Sequence, residues 1–317
     1  MIVNISPVQQ GEVIRLHYGI EKTFTNASFN IELFVSTDGG EKLIGPLKMV
    51  TGDVGENIKA GSNLFIHWDV LKEFESLQSD EVVFEIHAYE NKELNLKFIY
   101  VKEGSFRMGS RKGNQNENPV HLVNLASFYI SKHEITQAQW IKIMGYNPSE
   151  NKNCYECPVE NISYNEVIEF ITKLNKSGTA KYRLPNEAEW EYSAVGGTIT
   201  AYSEYSGGND IDNVAWYMSN SSGYTHPVGS KQPNTLGLYD MSGNVLEWCR
   251  DYYNSNYYRA SPSLDPKGPA SGSSKVIRGG AFNQWSTNCT VFNRQYETPS
   301  YKNQNIGFRL VKISDKL

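Results

Sequence analysis

The tract from residue 198 to residue 317 is rich in Gly, Asn, Ser and Tyr and contains few periodic runs of apolar residues. Long stretches without regular structure are uncommon in compact domains, so a folded domain that contains them needs metal ions or packed aromatic rings to hold its loops. The chain has 20 Tyr, 6 Trp and 26 Gly among 317 residues, and this composition suits a fold that packs and displays rings. We therefore expect a loop-rich domain in the C-terminal part of the chain.

The first 90 residues show a different pattern, in which apolar and polar residues alternate over short runs bounded by turn signals. The clearest runs are EVIRLHYGI (12–20), SFNIELFVS (28–36), NLFIHWDV (63–70) and VVFEIHAYE (82–90). Alternation with a period of two is typical of half-buried β-strands. About seven such pieces predict an all-β, immunoglobulin- or fibronectin-like sandwich over residues 1–95, which would act as a spacer or docking domain.

Helical patterns appear only after a polar link near residues 91–98. Helices are predicted over 135–145, 165–178 and 187–197, the last of which begins after Pro185 and Asn186 and ends near Gly196. This change of pattern predicts a domain boundary at the polar link and a second domain over residues 96–317.

Composition and charge exclude several classes of protein. The net charge is −5, with 39% hydrophobic and 21% charged residues, and nucleic-acid binding requires clustered Lys and Arg, so no nucleic-acid partner is expected. No run of about 18 apolar residues occurs, and no membrane span is expected. The stretch MIVNISPVQQGEVIR lacks the basic and apolar regions of a signal peptide, so the chain either is cytoplasmic or follows a removed signal.

The four cysteines are Cys154 and Cys157 in a CYEC run, then Cys249 and Cys289. One CxxC supplies at most two ligands of a zinc site, and the sequence contains no second CxxC or HxxxH to complete it. We interpret Cys154 and Cys157 as either a surface-loop disulfide or two free thiols.

A series of motifs in the second half of the chain resembles the formylglycine-generating enzyme, or sulfatase-modifying factor, family. The motifs occur in one order and cover about residues 98–317. They are FRMGS (106–110), PVHLVNLASFYISKHEITQAQW (119–140), PVENISYNEVIEF (158–170), YRLPNEAEWEY (182–192), GLYDMSGNVLEW (237–248), RGGAF (278–282) and NIGFRLV (305–311). The resemblance implies a C-type-lectin-like α+β fold that is poor in regular structure and often binds Ca²⁺. The N-terminal domain resembles one that precedes this domain in Bacteroidetes proteins.

The same resemblance implies two structural calcium sites. The first corresponds to Asp240, Gly243, Val245 and Glu247. Carboxylates and backbone carbonyls in an irregular turn are suitable ligands for a hard cation, although Asp240 and Glu247 could instead only cap and form salt bridges. The second site corresponds to Asn213, Val214, Asn220 and Ser222. Here an amide, Asn220, occupies the family's carboxylate position, which should weaken binding.

The catalytic positions of the family are mostly changed. Its oxidase members bind Cu(I) with two cysteines five residues apart after an RGG run, because soft thiolates suit that ion. Here the first cysteine position is Gln284, the second is Cys289, and the preceding serine position is Ala281. The tryptophan of the calcium-binding turn corresponds to Leu246. Copper binding is therefore not expected, and Cys289 is a catalytic candidate only if the chain is an enzyme.

By the same resemblance, family members without the copper pair often carry cysteines at the positions of Cys249 and Cys289. We therefore predict a Cys249–Cys289 disulfide or a buried thiol pair. A disulfide there would join the loop after RGG to the calcium-binding turn and restrict the unfolded chain.

The segment 281–304 interleaves amides with aromatic rings, a chemistry that suits adaptable recognition of a protein or carbohydrate. The candidate ligand-binding residues are Phe282, Asn283, Gln284, Trp285, Thr290, Phe292, Asn293, Gln295, Tyr296, Glu297, Tyr301, Asn303 and Gln304. The segment also resembles the variable region of proteins that diversity-generating retroelements alter, although Gln284, Trp285, Glu297 and Gln304 are not simple products of randomised asparagine codons. Alternatively, the rings belong to the core and the amides satisfy loop backbone.

The residues thus favour a calcium-stabilised, non-catalytic binding protein that recognises a ligand through residues 281–304. The alternative is a divergent formylglycine-generating, metal-dependent oxidase, and a third possibility is a structural domain that self-associates through the same rings. We expect a bacterial cell-surface or periplasmic location with the signal absent from this chain; the alternative is the cytoplasm.

Overall fold

The computed structural model of the chain describes residues 2–21, 28–77, 79–90, 94–152, 154–177, 180–198 and 203–313. The chain divides into two compact units, Met1–Asn95 and Leu96–Leu317, and each unit has its own hydrophobic core. Within the described ranges, no helix is long and apolar enough to cross a lipid bilayer.

The N-terminal unit consists of two antiparallel sheets. Its strands are β1 (Ile2–Gln10), β2 (Val13–Ile20), β3 (Ser28–Ser36), β4 (Val50–Gly52), β5 (Gly55–Lys59), β6 (Leu64–Asp69) and β7 (Val83–Glu90). One sheet has the order β1-β2-β6-β4 and the other has the order β5-β3-β7. The alternation in the sequence explains the packing, because Ile31, Leu33 and Val35 of β3 are buried in the same cluster as Ile66 and Trp68 of β6. The β-rich N-terminal region predicted from the sequence is present.

The C-terminal unit contains short strands separated by long loops. The strands are β8 (Phe98–Val101), β9 (Gly104–Met108), β10 (His121–Leu125), β11 (Phe128–Ser131), β12 (Lys181–Arg183), β13 (Leu246–Tyr252), β14 (Lys275–Arg278), β15 (Arg294–Glu297), β16 (Ile306–Gly307) and β17 (Val311–Ile313). They form a β9–β10 pair and two four-stranded sheets, with the orders β12-β17-β11-β8 and β15-β14-β13-β16. The predicted α+β, loop-rich fold is confirmed.

The helices of this unit are α1 (Gln137–Met144), α2 (Tyr164–Ser177), α3 (Glu187–Ala194) and α4 (Ile211–Val214). Local capping explains where α1 begins and ends. Thr136 and Gln139 form a capping box at its N-terminus, and Gly145 adopts a left-handed conformation at its C-terminus, with φ of 83°. The first three helices lie where the sequence patterns predict them, with ends that differ by a few residues.

Helix α3 is buried on all sides, although it carries three glutamates. A helix without an exposed face lies inside the core rather than over it. Its glutamates therefore need cationic partners, because an unpaired buried carboxylate is costly; Glu189 pairs with the nearby Arg183, whereas Glu187 and Glu191 pair with distant arginines. This helix supplies the charged residues beneath the loop that follows the RGG run.

Candidate functional site

The RGG run lies beside the turn 237–248 because their strands pair. Glu247 of β13 lies opposite Arg278 of β14, and the Gly243 amide donates to the Gly279 carbonyl at 2.8 Å. Gly280 has a φ of +73°, and a Cβ at that position would lie 2.6 Å from the sulfur of Cys289. Only glycine therefore fits there, and the chain turns tightly over Cys289.

Arg278 anchors the loop from below. Its side chain is fully buried, and its guanidinium donates to the carbonyls of Val291 (3.2 Å), Phe292 (2.9 Å) and Asn293. The same group forms an ion pair with Glu191 of α3. A planar guanidinium has five N–H donors in a fixed fork, so one side chain can fix three consecutive carbonyls and a carboxylate together.

A second buried pair supports the end of the same loop. Arg294 at the start of β15 donates two hydrogen bonds to Glu187 of α3, at 2.6 and 2.8 Å. Burial raises the pKa of Glu187, but the charges of Arg294 and Arg278 outweigh that effect and keep the pKa below its usual value. Asp251 accepts a hydrogen bond from the Glu187 amide at 3.0 Å. We call Glu187, Glu191, Asp251, Arg278 and Arg294 the floor.

The thirteen candidate ligand-binding residues differ in exposure. Phe282 and Asn293 are only 4% and 5% exposed. The prediction that they contact a ligand is therefore wrong for these two residues, which support the loop from inside. The Phe282 amide donates to the Asn244 carbonyl, and the Asn293 carbonyl accepts from Arg278. The half-buried members are Asn283, Gln284, Thr290, Phe292, Gln295, Glu297 and Asn303.

Four of the thirteen residues are exposed, and we call them the rim: Trp285, Tyr296, Tyr301 and Gln304. Trp285 is 64% exposed and Tyr296 is 51% exposed. The Tyr296 ring stacks on Tyr253 with centroids 4.0 Å apart, which holds it in one orientation. The rim therefore presents large rings on a rigid support, which is a low-entropy way to make contact area.

At the two positions that correspond to the family's copper ligands, this chain has an amide pair and a buried thiol. Gln284 and Gln295 exchange two side-chain hydrogen bonds, at 3.1 and 3.2 Å. Ala281 and Leu246 are both buried apolar residues. Burial raises the pKa of the Cys289 thiol to about 12, which disfavours the thiolate that a copper ligand or nucleophile needs.

The predicted Cys249–Cys289 disulfide is wrong, because both cysteines are free and buried. They pack in different clusters: Cys249 lies in the main core of the unit, whereas Cys289 lies with Tyr205, Val214 and Ala215. The alternative, a buried thiol pair, is met only in that both thiols are buried. Burial also raises the pKa of Cys249 well above its usual value.

The disulfide of this unit joins Cys154 to Cys157, with Cα atoms 5.2 Å apart. Of the two interpretations of the CYEC run, the loop disulfide is the one confirmed. The carbonyls of Tyr155 and Cys157 accept from the first amides of α1, so this small loop also caps that helix.

The first candidate calcium site lies in a buried, acidic turn. Its four predicted ligand residues, Asp240, Gly243, Val245 and Glu247, are all buried. Both oxygens of Glu247 already accept from Arg309, each at 2.7 Å, so this carboxylate is largely committed to a salt bridge. Asp240 accepts from the Gly229 amide at 2.7 Å, and burial, together with the charge of Glu247, raises its pKa to about 6.

A third carboxyl, Glu134, adds to the negative charge of this turn. It accepts from the Val245 amide at 3.1 Å and from the Asn244 side chain at 2.7 Å. Burial, then the charges of Asp240 and Glu247, raise its pKa well above the usual value. Three buried carboxyls thus share the charge of one guanidinium, Arg309. Among the described residues, however, no three acidic, His or Cys side chains are grouped as metal ligands.

The second candidate calcium site fits a cation poorly. Asn220 accepts from the Tyr217 amide at 2.9 Å and donates to the Ala215 carbonyl at 3.0 Å. Its side-chain amide is therefore already engaged in hydrogen bonds within the loop. The Asn213 side chain donates to Asp210 at 2.8 Å, and Val214 is buried. Ser222 has a φ of 56° in the same loop. The ammonium of Lys231 donates to the Asp212 carbonyl and places a positive charge beside these residues.

Sequence reasoning missed two features of this region. One is the floor, whose ion pairs join residues that are 87 and 107 positions apart in the chain. The other is the loop around residues 216–226, which contacts the segment that follows the RGG run. The Met218 amide donates to the Gln284 carbonyl at 3.0 Å, and Ser221 donates to the Phe282 carbonyl at 2.8 Å. The sequence gives one signal of the floor, in the segment NEAEWEY. Its glutamates alternate with apolar residues, so no face of the helix is uniformly polar, as an exposed face would be.

The chain is similar to several known proteins in sequence and in structure. The sequence profile of the sulfatase-modifying factor enzyme 1-like domain matches residues 84–314. The serine/threonine-protein kinase pkn1 of Chlamydia caviae is 33% identical over 265 residues, which cover 75% of this chain but only 42% of that relative. The formylglycine-generating enzyme of Streptomyces coelicolor is 28% identical over 283 residues, covering 67% of this chain and 88% of the enzyme. The structure of Treponema denticola variable protein 1 is similar with a TM-score of 0.63 and 31% identity, covering 68% of this chain and 94% of that one.

Proposed function

Because this chain belongs to the family of sulfatase-modifying factor enzyme 1-like domains, we propose that it is a non-catalytic member that binds a ligand through the rim. The observation that carries the proposal is the Gln284–Gln295 amide pair at the first copper-ligand position. An amide is a poor ligand for a soft ion that prefers paired thiolates. The remaining cysteine, Cys289, is buried, and its thiol has a raised pKa.

The ligand in this proposal is a protein or a carbohydrate that contacts Trp285, Tyr296 and Tyr301. The similarity to the Treponema denticola variable protein supports a variable-surface role for the segment 281–304. We extend the proposal to diversification of this segment by a retroelement. A near-copy of the segment next to a reverse-transcriptase gene would support that extension, and a gene neighbourhood without one would overturn it.

The rim is tested with a glycan array and a panel of purified surface proteins, each probed in buffer with calcium. The variant Trp285→Ala, combined with Tyr301→Ala, should lose at least about tenfold in affinity for any ligand found, because exposed rings at interface centres dominate binding. The control is Tyr100→Ala, which removes another exposed ring from β8. Equal binding by the control and the rim variant would show that the rim is not the contact surface.

The alternative function is a divergent metal-dependent oxidase, which the similarity to the Streptomyces coelicolor enzyme favours. It is tested by Cu(I) titration of the reduced protein with and without Cys289→Ser, together with turnover of a cysteine-containing sulfatase peptide under oxygen. We expect no tight Cu(I) binding and no peptide oxidation. Stoichiometric Cu(I) binding that disappears in Cys289→Ser would overturn the non-catalytic proposal.

We also propose one structural calcium ion, held by Asp240 with the carbonyls of Gly243 and Val245. The buried Asp240 carboxyl and the acidic surroundings support it, whereas the second candidate site is not proposed to bind calcium. Calcium that binds only the folded state raises the unfolding temperature as its concentration exceeds Kd. This rise should be absent in Asp240→Asn and present in Asn220→Ala; the same rise in both variants would exclude Asp240 as a ligand.

An oxidising compartment suits the Cys154–Cys157 disulfide, because disulfides are rare in the bacterial cytosol. We propose a bacterial cell-surface or periplasmic location on that ground. Alkylation of thiols in intact cells, followed by denaturation and mass spectrometry, should find Cys154 and Cys157 protected as a disulfide. If all four thiols are reduced after denaturation, the location is cytoplasmic.

A further inference from the structure

A cationic cleft lies on the C-terminal unit and uses none of the residues of segment 281–304. Its volume is about 310 Å³. Five residues with polar or charged side chains line it, Tyr164, Arg250, Tyr252, Lys267 and Lys275, together with Gly268, Pro269 and Ala270. Three of these five side chains are cationic and none is acidic.

Lys275 is the most buried of the three cationic residues that line the cleft. Only 6% of this residue is exposed, and its ammonium donates to the Arg250 carbonyl at 2.9 Å. The ammonium lies 3.4 Å from the centroid of the Tyr252 ring and 4.7 Å from that of Tyr164. An ammonium has three N–H donors, and a carbonyl uses one of them. A buried cation of this kind stabilises an anion more strongly than a surface lysine does, because water screens it less.

The neighbouring acids leave most of this positive charge uncompensated. Burial raises the pKa of Asp251 to about 8, and the charge of Glu187 adds to that effect, so Asp251 is mainly neutral at pH 7. Glu297 lies opposite Lys275 in the β14–β15 pairing, yet the lysine turns its ammonium to the Arg250 carbonyl. Arg250 and Lys267 are exposed at the mouth of the cleft and add two further charges there.

We propose that this cleft binds an oxyanion group, a carboxylate, sulfate or phosphate, of a small ligand. Lys275 would meet the anion at the bottom, while Arg250 and Lys267 would close around it with charge-assisted hydrogen bonds. The two tyrosine rings form apolar walls for the part of the ligand that carries the anion. The cleft is a second binding site, and its existence does not depend on the function of the rim.

The proposal is tested by calorimetric titration of the full chain with sodium sulfate, sodium phosphate and sodium glucuronate at constant ionic strength. Saturable one-to-one binding of at least one anion is expected, and comparison of the three identifies the preferred group. Arg250→Ala and Lys267→Ala should each weaken binding about tenfold, since each removes a hydrogen bond to a charged group. Both residues are exposed, so these variants test the cleft even if Lys275→Met does not fold.

Two matched variants show whether anion binding is specific to this cleft. Arg259→Ala removes an exposed cation outside the cleft and should leave anion affinity unchanged. Trp285→Ala removes a rim residue and should also leave it unchanged. Absence of saturable binding, or equal loss in Arg259→Ala and Arg250→Ala, would overturn the proposal and would leave the rim hypothesis untouched.

Discussion

The floor supports the segment that carries the rim, and the two have opposite chemistry. The floor consists of buried ion pairs between α3 and the strands β14 and β15, together with the buried Asp251 carboxyl of β13, and its Arg278 is 0% exposed. The rim consists of exposed rings and one amide, with Trp285 at 64% exposed. The comparison teaches that a segment without regular structure can still be held in place, because a buried guanidinium, paired with a carboxylate of a buried helix, donates to its backbone carbonyls.

We expect the largest effect on the free energy of unfolding when the Arg278 guanidinium is removed from the floor. Arg278→Leu leaves Glu191 buried without its cationic partner, and we expect a loss of about 3–5 kcal/mol in the free energy of unfolding. Urea denaturation followed by tryptophan fluorescence measures it. The double variant Arg278→Leu with Glu191→Leu should recover part of the loss, since no charge is then left unpaired. A stability within about 1 kcal/mol of the parent in the single variant would show that the floor does not hold the loop.

A smaller effect is expected at the tight turn that separates floor from rim. Gly280→Ala should lower the free energy of unfolding by about 1–2 kcal/mol for its positive φ and by about 1–3 kcal/mol more for the contact with Cys289. Gly237→Ala is the matched control, because Gly237 has a φ of +82° but a Cβ there would meet no atom within 4 Å. Equal losses in the two variants, read from the same denaturation curves, would mean that Cys289 can move aside.

The floor should also make stability depend on pH, whereas the rim should not. The pKa of Asp251 is about 8 in the folded chain and about 3.9 in an unfolded one. The folded state therefore holds this proton more tightly, so the stabilisation is complete below about pH 4 and is lost as pH rises through about 8. Between about pH 5 and 8 the free energy of unfolding should fall with rising pH, by up to about 1.4 kcal/mol per pH unit for this group.

Asp251→Asn should flatten that slope without abolishing it, because burial also raises the pKa of Asp240 to about 6 and that of Glu160 to about 7. The asparagine keeps an oxygen that can accept from the Glu187 amide. Denaturation at several pH values measures the slope, and Tyr296→Phe provides a rim variant for comparison. An unchanged slope in Asp251→Asn would show that Asp251 is ionised in the folded state at neutral pH.

The smallest effect on stability is expected at the rim itself. Trp285→Ala should change the free energy of unfolding by no more than about 0.5 kcal/mol, because the side chain is exposed and only its backbone carbonyl takes part in the turn. Thermal and urea unfolding of the variant and the parent measure this. A loss above about 2 kcal/mol would make Trp285 part of the support and remove the distinction between floor and rim.

Local patterns in the sequence were sufficient to predict helices and strands. Alternation in SFNIELFVS predicted β3 and its buried residues Ile31, Leu33 and Val35, and the segment ITQAQWIKIMG contains both the Thr136 cap and the terminal Gly145 of α1. These features depend on neighbours within a few residues. The motif order also predicted the family and its fold, because each motif keeps its place in the chain.

The support of the candidate site could not be predicted in the same way. Glu187 and Glu191 look like exposed acids near a helix start, and only their distant partners Arg294 and Arg278 explain their burial. The predicted Cys249–Cys289 bond failed for a related reason: the two residues lie in segments that do meet, but they pack in separate apolar clusters. Neither fact is encoded in local spacing.

The way in which Arg278 holds the loop has a consequence for evolution. Its three loop contacts go to the backbone carbonyls of residues 291–293, and a carbonyl is the same whatever side chain the residue carries. Mutations that alter the outward side chains of this loop leave its anchor intact, so the loop keeps its shape while its surface changes. If the rim binds a ligand as proposed, this decoupling of conformation from sequence lets the segment accept repeated substitution under selection for new ligands.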